Sequence, residues 1–229
     1  MIYHSSKKLE NATSDLKFLL NRDYNKKIAL NFVGNHYLLD KEERNYLQRK
    51  VYSTKDSEDR KSKIISLSKI KGKNLYIDGY NVLITVESIC SNDESIVVCE
   101  DGVFRDVNAV FGKYKCNENT ENAINSVLAL VRIYKPKYVQ VFFDNQVSKS
   151  GELAKLTKKI MEKQRIIGSA STAPNVDYQL INLSHETCGV VATSDSVIMD
   201  KVDNILDIPC FIHKIKDKHL SKVLVNKKK

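Results

Sequence analysis

The chain has 229 residues, of which 42% are hydrophobic and 28% charged, with a formal net charge of +9; this is the composition of a globular protein able to bury a core of its own. No apolar stretch approaches the roughly 20 residues that a membrane helix needs, and the polar start, Met1 to Asp15, lacks the apolar centre of a signal peptide, so a cytoplasmic chain with no membrane partner is expected. The five cysteines, at 90, 99, 116, 188 and 210, contain no C-x-x-C pair, which argues against both a disulfide framework and a zinc site.

The charge is unevenly spread. Residues 1–70 carry 15 Lys/Arg against 9 Asp/Glu, and the remainder 22 against 19; such an excess favours polyanionic partners, nucleic acid first among them. Leu9, Leu16, Leu19 and Leu20 are spaced for a helix over residues 5–22. Ala29 to Leu39 is apolar and interrupted by Gly34-Asn35, which reads as a turn. Asp40 and Glu43 have capping-box spacing before a helix whose apolar face continues through Leu47 and Val51. Its cations Arg44, Arg49 and Lys50 form either a solvated face or a nucleic-acid handle. His36 has no partner at metal spacing and reads as structural.

The run from Ser53 to Lys63 is polar and free of large apolar residues, the mark of a domain boundary. Residues 1–62 are therefore read as a small helical N-terminal domain, 63–71 as a linker and 72–229 as a second domain. From Asn74 onward strand-like and helix-like segments alternate, as in a parallel sheet covered by helices. Leu75 to Ile77 is a buried strand that stops at Asp78, where Gly79 turns the chain into a helix. Ile96 to Cys99 and Val103 to Val107, joined by Asp101-Gly102, form a hairpin inserted beside the sheet. A helix opens at Thr120 and must end before Pro136. Tyr138 to Phe143 is a second strand, buried on both faces, and stops at Asp144. The helix near Gly151 to Lys163 turns Leu153, Leu156 and Ile160 inward and Lys155, Lys158, Lys159 and Lys163 outward. Asn175 caps a helix with Asp177 in its first turn. Gly189 to Thr193 is a third strand, stopping at Ser194-Asp195-Ser196, and a last strand pair is expected within Ile205 to Ile215, broken by Pro209. Lys227 to Lys229 form a basic tail able to touch phosphates.

Asp78, Asp144 and Asp195 thus each end a strand, and Asp177 opens a helix at the same edge. If the sheet is parallel, all four converge where open α/β sheets bind ligands. Such a set suits Mg²⁺ or Mn²⁺, hard cations that take oxygen ligands, and the reaction implied is metal-assisted phosphodiester hydrolysis. Each carboxylate also has a plain structural role open to it: a helix cap for Asp78, bonds to loop amides for Asp144 and Asp195, a first-turn charge for Asp177. Asn81, Thr193, Ser194 and Ser196 are placed to orient ligands or waters. Ser148-Lys149-Ser150, with Lys155 and Lys159 on the helix that follows, is either a phosphate-binding loop or a turn. Tyr80 either stacks on a base or packs, and Asp106 either contacts substrate or solvates a turn. No G-x-x-x-x-G-K-[ST] or G-x-G-x-x-G motif is present, against the common nucleotide-dependent enzymes.

Ile77-Asp78-Gly79-Tyr80-Asn81, Phe143-Asp144-Asn145, Val176-Asp177 and Thr193-Ser194-Asp195-Ser196 resemble the acidic motifs of PIN-like nuclease domains, in particular the NYN branch with its Asp-Gly-Tyr-Asn opening. The similarity covers about residues 72–215. The whole chain, with Phe32-Val33-Gly34-Asn35 and the helix after Asp40, also resembles an uncharacterised prokaryotic family, the domain of unknown function numbered 434, joined to a PIN-like part. The resemblance implies a Rossmann-like α/β/α sandwich, a divalent-metal site built from Asp78, Asp144, Asp177 and Asp195, and endoribonuclease activity. This chain departs from the PIN pattern in its long insertion between Asp78 and Asp144, and in having Ser196 where a second acid is usual, the next acid being Asp200. RNA is the expected partner, with DNA and a homodimer also compatible. The competing readings are an RNA-binding module of the same fold without turnover, and a protein-interaction or toxin-like component.

Overall fold

The strand that ends at Asp78 sits in the middle of the sheet. The computed structural model describes residues 6–92, 95–107 and 114–226. Its main sheet has four strands, β1 (Asn74–Asp78), β4 (Tyr138–Asp144), β5 (Gly168–Ala173) and β6 (Val190–Ala192), in the order β5-β4-β1-β6. All neighbouring pairs are parallel. Two short strands, β2 (Ile96–Val98) and β3 (Phe104–Asp106), form the expected antiparallel hairpin apart from it.

Alternation along the strands divides the core in two, because successive side chains point to opposite faces. Leu75, Ile77, Val139, Val141, Phe143, Val190 and Ala192 face a cluster shared with α5 (Gly79–Cys90), α6 (Thr120–Ile133), α7 (Ser150–Lys163) and the start of α10 (Ile208–Asn226). Tyr76, Phe142, Ala173 and Val191 face the other side, where α8 (Val176–Thr187) and the one-turn α9 (Ser196–Met199) pack. Helices on both faces of a parallel sheet give a Rossmann-like, three-layer α/β architecture. The crossovers run from β1 to β4 and β5 on one side and then back to β6 on the other. The strand order therefore reverses beside β1, the place where such sheets open a crevice at their carboxyl ends.

The passage from β1 into α5 leaves no room for a side chain. A Cβ on Gly79 would lie 2.5 Å from Phe143 Cε1 and 2.6 Å from the Phe142 carbonyl oxygen. Gly79→Ala is expected to destabilise the chain by about 2 kcal/mol through overpacking against a neighbouring strand, measured as a lower denaturation midpoint at unchanged slope.

Ahead of the sheet lie α1 (Lys7–Leu20), α2 (Lys26–His36), α3 (Lys41–Lys50) and α4 (Thr54–Lys63). Ser6 and Asn25 cap the first two with their side chains, and Asp40 with Glu43 makes the predicted capping box. Leu9, Leu16, Leu30, Val33 and Leu47 bury one another in a separate cluster that also takes Val107 and Val97 from the hairpin end. The helical layer is thereby packed against the insertion.

Several expectations change. Gly34-Asn35 makes no turn: α2 runs through it, and the Arg44 guanidinium lies against Gly34 where a Cβ would stand. The polar run 53–63 is helix α4, capped by Ser53 and held down by the buried Arg60, rather than an unstructured stretch. A short 3-10 turn, Leu67–Ile70, occupies part of the supposed linker, and Ile64 bridges Ile205. The expected strand pair at 205–215 is helix α10, in which Pro209 lies in the first turn, where its missing N–H breaks no helical bond; only Ile205 makes isolated bridges. Strand β4 is not covered at both ends, since Tyr138 is exposed. The basic tail Lys227–Lys229 lies outside the described residues.

Candidate active site

Parallel strands carry Asp78 and Asp144 to one edge, and the loop after β6 brings Asp195 to the same place. Asp177, in the first turn of α8, faces them. All four line a single cavity of about 440 Å³. The fold thus brings the three aspartates expected at strand ends and the one expected at a helix start to one place.

Their surroundings differ. Asp78 is buried; its Oδ2 accepts the Thr193 hydroxyl at 2.9 Å and its Oδ1 faces the Asn81 amide at 3.5 Å. Burial pushes its carboxyl up to about 7, and the Asp195 and Asp177 charges add to the rise against the Thr193 bond. Asp177 is raised too, by burial and then by Asp195 and Asp144. Asp195 Oδ1 caps α9 by accepting the amides of Val197 at 2.7 Å and Ile198 at 3.4 Å, and Asp144 Oδ1 accepts the Gln146 amide at 2.8 Å. In Asp144 and Asp195 the structural role is filled by one carboxylate oxygen, and both side chains still border the cavity.

Asn81 does more than follow Asp78. Its Oδ1 accepts both the amide and the hydroxyl of Ser194 at 2.8 Å, tying the first turn of α5 to the loop after β6. Thr193 Oγ1 in turn accepts the Asp195 amide at 3.0 Å while donating to Asp78. Asn81, Ser194 and Ser196 line the cavity, and Thr193 supports it from behind. The other expected group does not join: Ser148, Lys149, Ser150, Lys155 and Lys159 are absent from the cavity lining. Ser150 is buried at the start of α7, Lys149 precedes it in a left-handed conformation without a side-chain cap, and Lys155 and Lys159 are exposed on the helix.

Side chains far away in sequence close the cavity from above. Gln48 and Arg49 come from the end of α3, Tyr52 follows them, and Arg105 and Asp106 come from β3. Arg105 is buried; its Nε donates to the Ser194 carbonyl at 2.7 Å, and Nη1 and Nη2 each donate to Asp101 at 2.7 Å. Arg60 donates to the same Asp101 at 3.2 Å and to Asp200 at 2.6 Å. Lys26, Arg60 and Arg105 all stand against the Tyr52 ring, and burial, then the two arginines, lowers Lys26 to about 7. Tyr80, half of the base-stacking alternative, is instead packed edge-on against Tyr114 and Phe143. Asp106 is buried rather than solvating a turn. Arg49 was legible as a cation on a helix; nothing in the spacing tied it to Asp78.

The raised carboxyls set a pH dependence. Asp78 at about 7, and Asp207 at about 6 through burial despite the amides of Cys210 and Phe104 that it accepts, hold protons that the unfolded chain releases near pH 4. Their contribution to stability is complete below that pH and is lost as pH rises through 6 to 7. The melting temperature of the metal-free chain is expected to fall between pH 5 and 8, less steeply in Asp207→Asn; calorimetry at stepped pH measures both slopes.

The donor set fits a hard divalent cation in kind: carboxylate oxygens around one cavity, two of them raised in pKa by burial first and by their acidic neighbours second, where a positive charge is wanted. Among the described residues no three His, Cys, Asp or Glu side chains are close enough together to hold an ion as they stand, so binding would use waters or small side-chain shifts, as Mg²⁺ sites commonly do. No helix among the described residues is long and apolar enough to cross a membrane.

Residues 67–210 match the family described as "Domain of unknown function (DUF5616)", and residues 8–63 match "Protein of unknown function (DUF434)", in agreement with the resemblance of the N-terminal part. "Uncharacterized protein MJ0935" of Methanocaldococcus jannaschii is 44% identical over 197 residues, which cover 86% of this chain and 91% of that one. No solved structure matches the chain. The first match holds the whole sheet and all four aspartates, the second holds Gln48, Arg49 and Tyr52, and the cavity is built by both. The chain belongs to the family of domains of unknown function described as DUF5616, with a DUF434 segment in front of that domain.

Proposed function

We propose that the protein is a divalent-metal-dependent ribonuclease of the PIN-like, NYN type, cleaving phosphodiester bonds at the cavity lined by Asp78, Asp144, Asp177 and Asp195. The observation that carries this reading is the arrival of four carboxylates from four separate chain segments on one cavity at the carboxyl edge of a parallel sheet. Asp78, Asp144, Asp177 and Asp195 are the residues that would hold Mg²⁺ or Mn²⁺. The ion, when bound, supplies Lewis acidity toward the phosphodiester and a lowered pKa for an attacking water.

The chain's own groups do the remainder. The Thr193 hydroxyl holds Asp78 by Oδ2, and the Asn81 amide, at 3.5 Å, by Oδ1. Asn81 fixes Ser194, and Arg105 grips the Ser194 carbonyl from the opposite side, so the loop bearing Asp195 is held from two directions. No side-chain nucleophile is needed.

The test is incubation of the pure chain with single-stranded and structured RNA in Mn²⁺, in Mg²⁺ and with EDTA. Cutting that needs the ion, stops in EDTA and resumes on adding Mn²⁺ supports the reading. RNA left intact under every condition overturns it. The wide setting of the carboxylates favours as second reading a PIN-like RNA-binding module without turnover, which predicts RNA bound but uncut in the same tubes.

A further inference from the structure

We propose that Arg49, carried to the cavity by α3, binds a phosphate of a single unpaired RNA strand, so that the N-terminal helices select single-stranded over duplex substrate. This rests on the nuclease reading for the identity of the occupant. The surface itself is independent of it.

Five aspartates and two arginines line the cavity, and a strand crossing it brings further negative charge. Of the two cations, Arg105 is fully engaged: its nitrogens donate to the Ser194 carbonyl, to both oxygens of Asp101, to the Arg49 carbonyl and to the Met199 sulfur. It shapes the wall and has no donor left for a ligand. Arg49 is half-buried, and among the described residues the one hydrogen bond of its side chain runs from Nη1 to the Asp106 carbonyl at 2.6 Å. That bond aims the guanidinium while leaving Nε and Nη2, a pair suited to two phosphate oxygens at once. Neighbouring Gln48 is exposed at the rim.

Size decides the rest. A cavity of about 440 Å³ is in the range that takes one drug-sized molecule, the bulk of about one nucleotide. The strand edge and α8 supply the carboxylates of the lining, and α3 and the hairpin supply Arg49 and Arg105. A space of that volume is too small for a base-paired helix, whereas one nucleotide of an unpaired strand fits it, with one phosphate at the carboxylates and the next at Arg49. Recognition of unpaired RNA by exposed backbone and splayed bases is the usual route to single-strand preference.

The test measures binding, apart from cleavage, by anisotropy of a labelled unstructured 12-mer RNA with the full chain carrying Asp78→Asn. In that background Arg49→Ala is expected to weaken binding about tenfold and to reduce the salt slope by about 0.7, the value for one phosphate of a single strand; Arg49→Lys restores the slope. Gln48 is exposed, so its variants test the wall without endangering the fold: Gln48→Glu should weaken binding several-fold and Gln48→Lys strengthen it. A hairpin duplex should compete at least tenfold more weakly than the 12-mer. Binding unchanged by both Gln48 variants, a salt slope unchanged by Arg49→Ala in protein that melts normally, or equal competition by duplex overturns the proposal. These dependences without cleavage by the wild-type chain in Mn²⁺ would uphold the phosphate site and defeat the nuclease reading alone.

Discussion

Asp78→Asn is expected to make the metal-free protein more stable at pH 8 and to reduce RNA cleavage by more than about 100-fold, the upper end of what loss of a group merely supporting a metal ligand costs. Both effects have one origin. The Asp78 carboxyl is buried, and its pKa rises from 3.8 to about 7. At pH 8 it is ionised in the folded chain at a cost, relative to the unfolded chain, on the order of 4 kcal/mol. An amide keeps an oxygen for the Thr193 hydroxyl and carries no charge, so the melting temperature should rise by roughly 5 °C or more. Below pH 4 the two proteins should melt alike, since both are then neutral at this position. A divalent ion repays the same cost in the wild type, so Mn²⁺ at pH 8 should raise the wild-type melting temperature and leave the variant's nearly unchanged. Differential scanning calorimetry with and without Mn²⁺ checks all of this; a variant less stable than the wild type at pH 8 contradicts the charge account.

The second large effect lies beside the site. Asp101 is fully buried and pairs with Arg105 through both oxygens and with Arg60 through one. Asp101→Asn leaves Arg105 without a charge partner in the interior and is expected to cost 3–5 kcal/mol, roughly the cost of breaking a buried pair from one side. Arg60 retains Asp200, half-exposed at the surface. Denaturant unfolding should show a lower midpoint at constant slope. Replacing the pair together, Asp101→Leu with Arg105→Met, should recover most of the stability. Cleavage should not recover with it, because methionine cannot donate to the Ser194 carbonyl that Arg105 holds at 2.7 Å. A double variant with full activity would remove Arg105 from the positioning of the Asp195 loop.

What the sequence made legible follows from where physics leaves a local mark. Strands β1 and β4 are short apolar runs ended by an aspartate, β6 is one followed three residues on by Asp195, and the hairpin has Asp101-Gly102 at its turn, so each is visible in a few residues. The carboxylate site is visible for the same reason: a parallel sheet gathers its strand ends without needing any nearness in sequence. Strand β5, Gly168–Ala173, reads Gly-Ser-Ala-Ser-Thr-Ala and has no apolar alternation. It is an edge strand, held by backbone pairing to β4 and by Gln140 donating to Ser171 at 3.0 Å, and a Cβ at Gly168 would strike the Val139 carbonyl. Helix α4 looked like a linker because its buried face is made by Ser57 and Arg60. Arginine enters a core only where carboxylates await it, and Asp101 and Asp200 lie 41 and 140 positions away. The same distance hid the cationic wall: Arg49 meets the cavity through α3 packing on the hairpin, a tertiary fact with no periodicity to announce it.

The account as a whole turns on the four aspartates acting as one unit. The measurement that reaches this most directly is cleavage of a single-stranded RNA in Mn²⁺ by the wild type and by Asp78→Asn, Asp144→Asn, Asp177→Asn and Asp195→Asn, each shown by melting to be folded. The account predicts cutting by the wild type alone, abolished by EDTA, with each single variant down by more than about 100-fold. Wild-type protein that leaves the RNA intact, or folded variants that cut as it does, would contradict it.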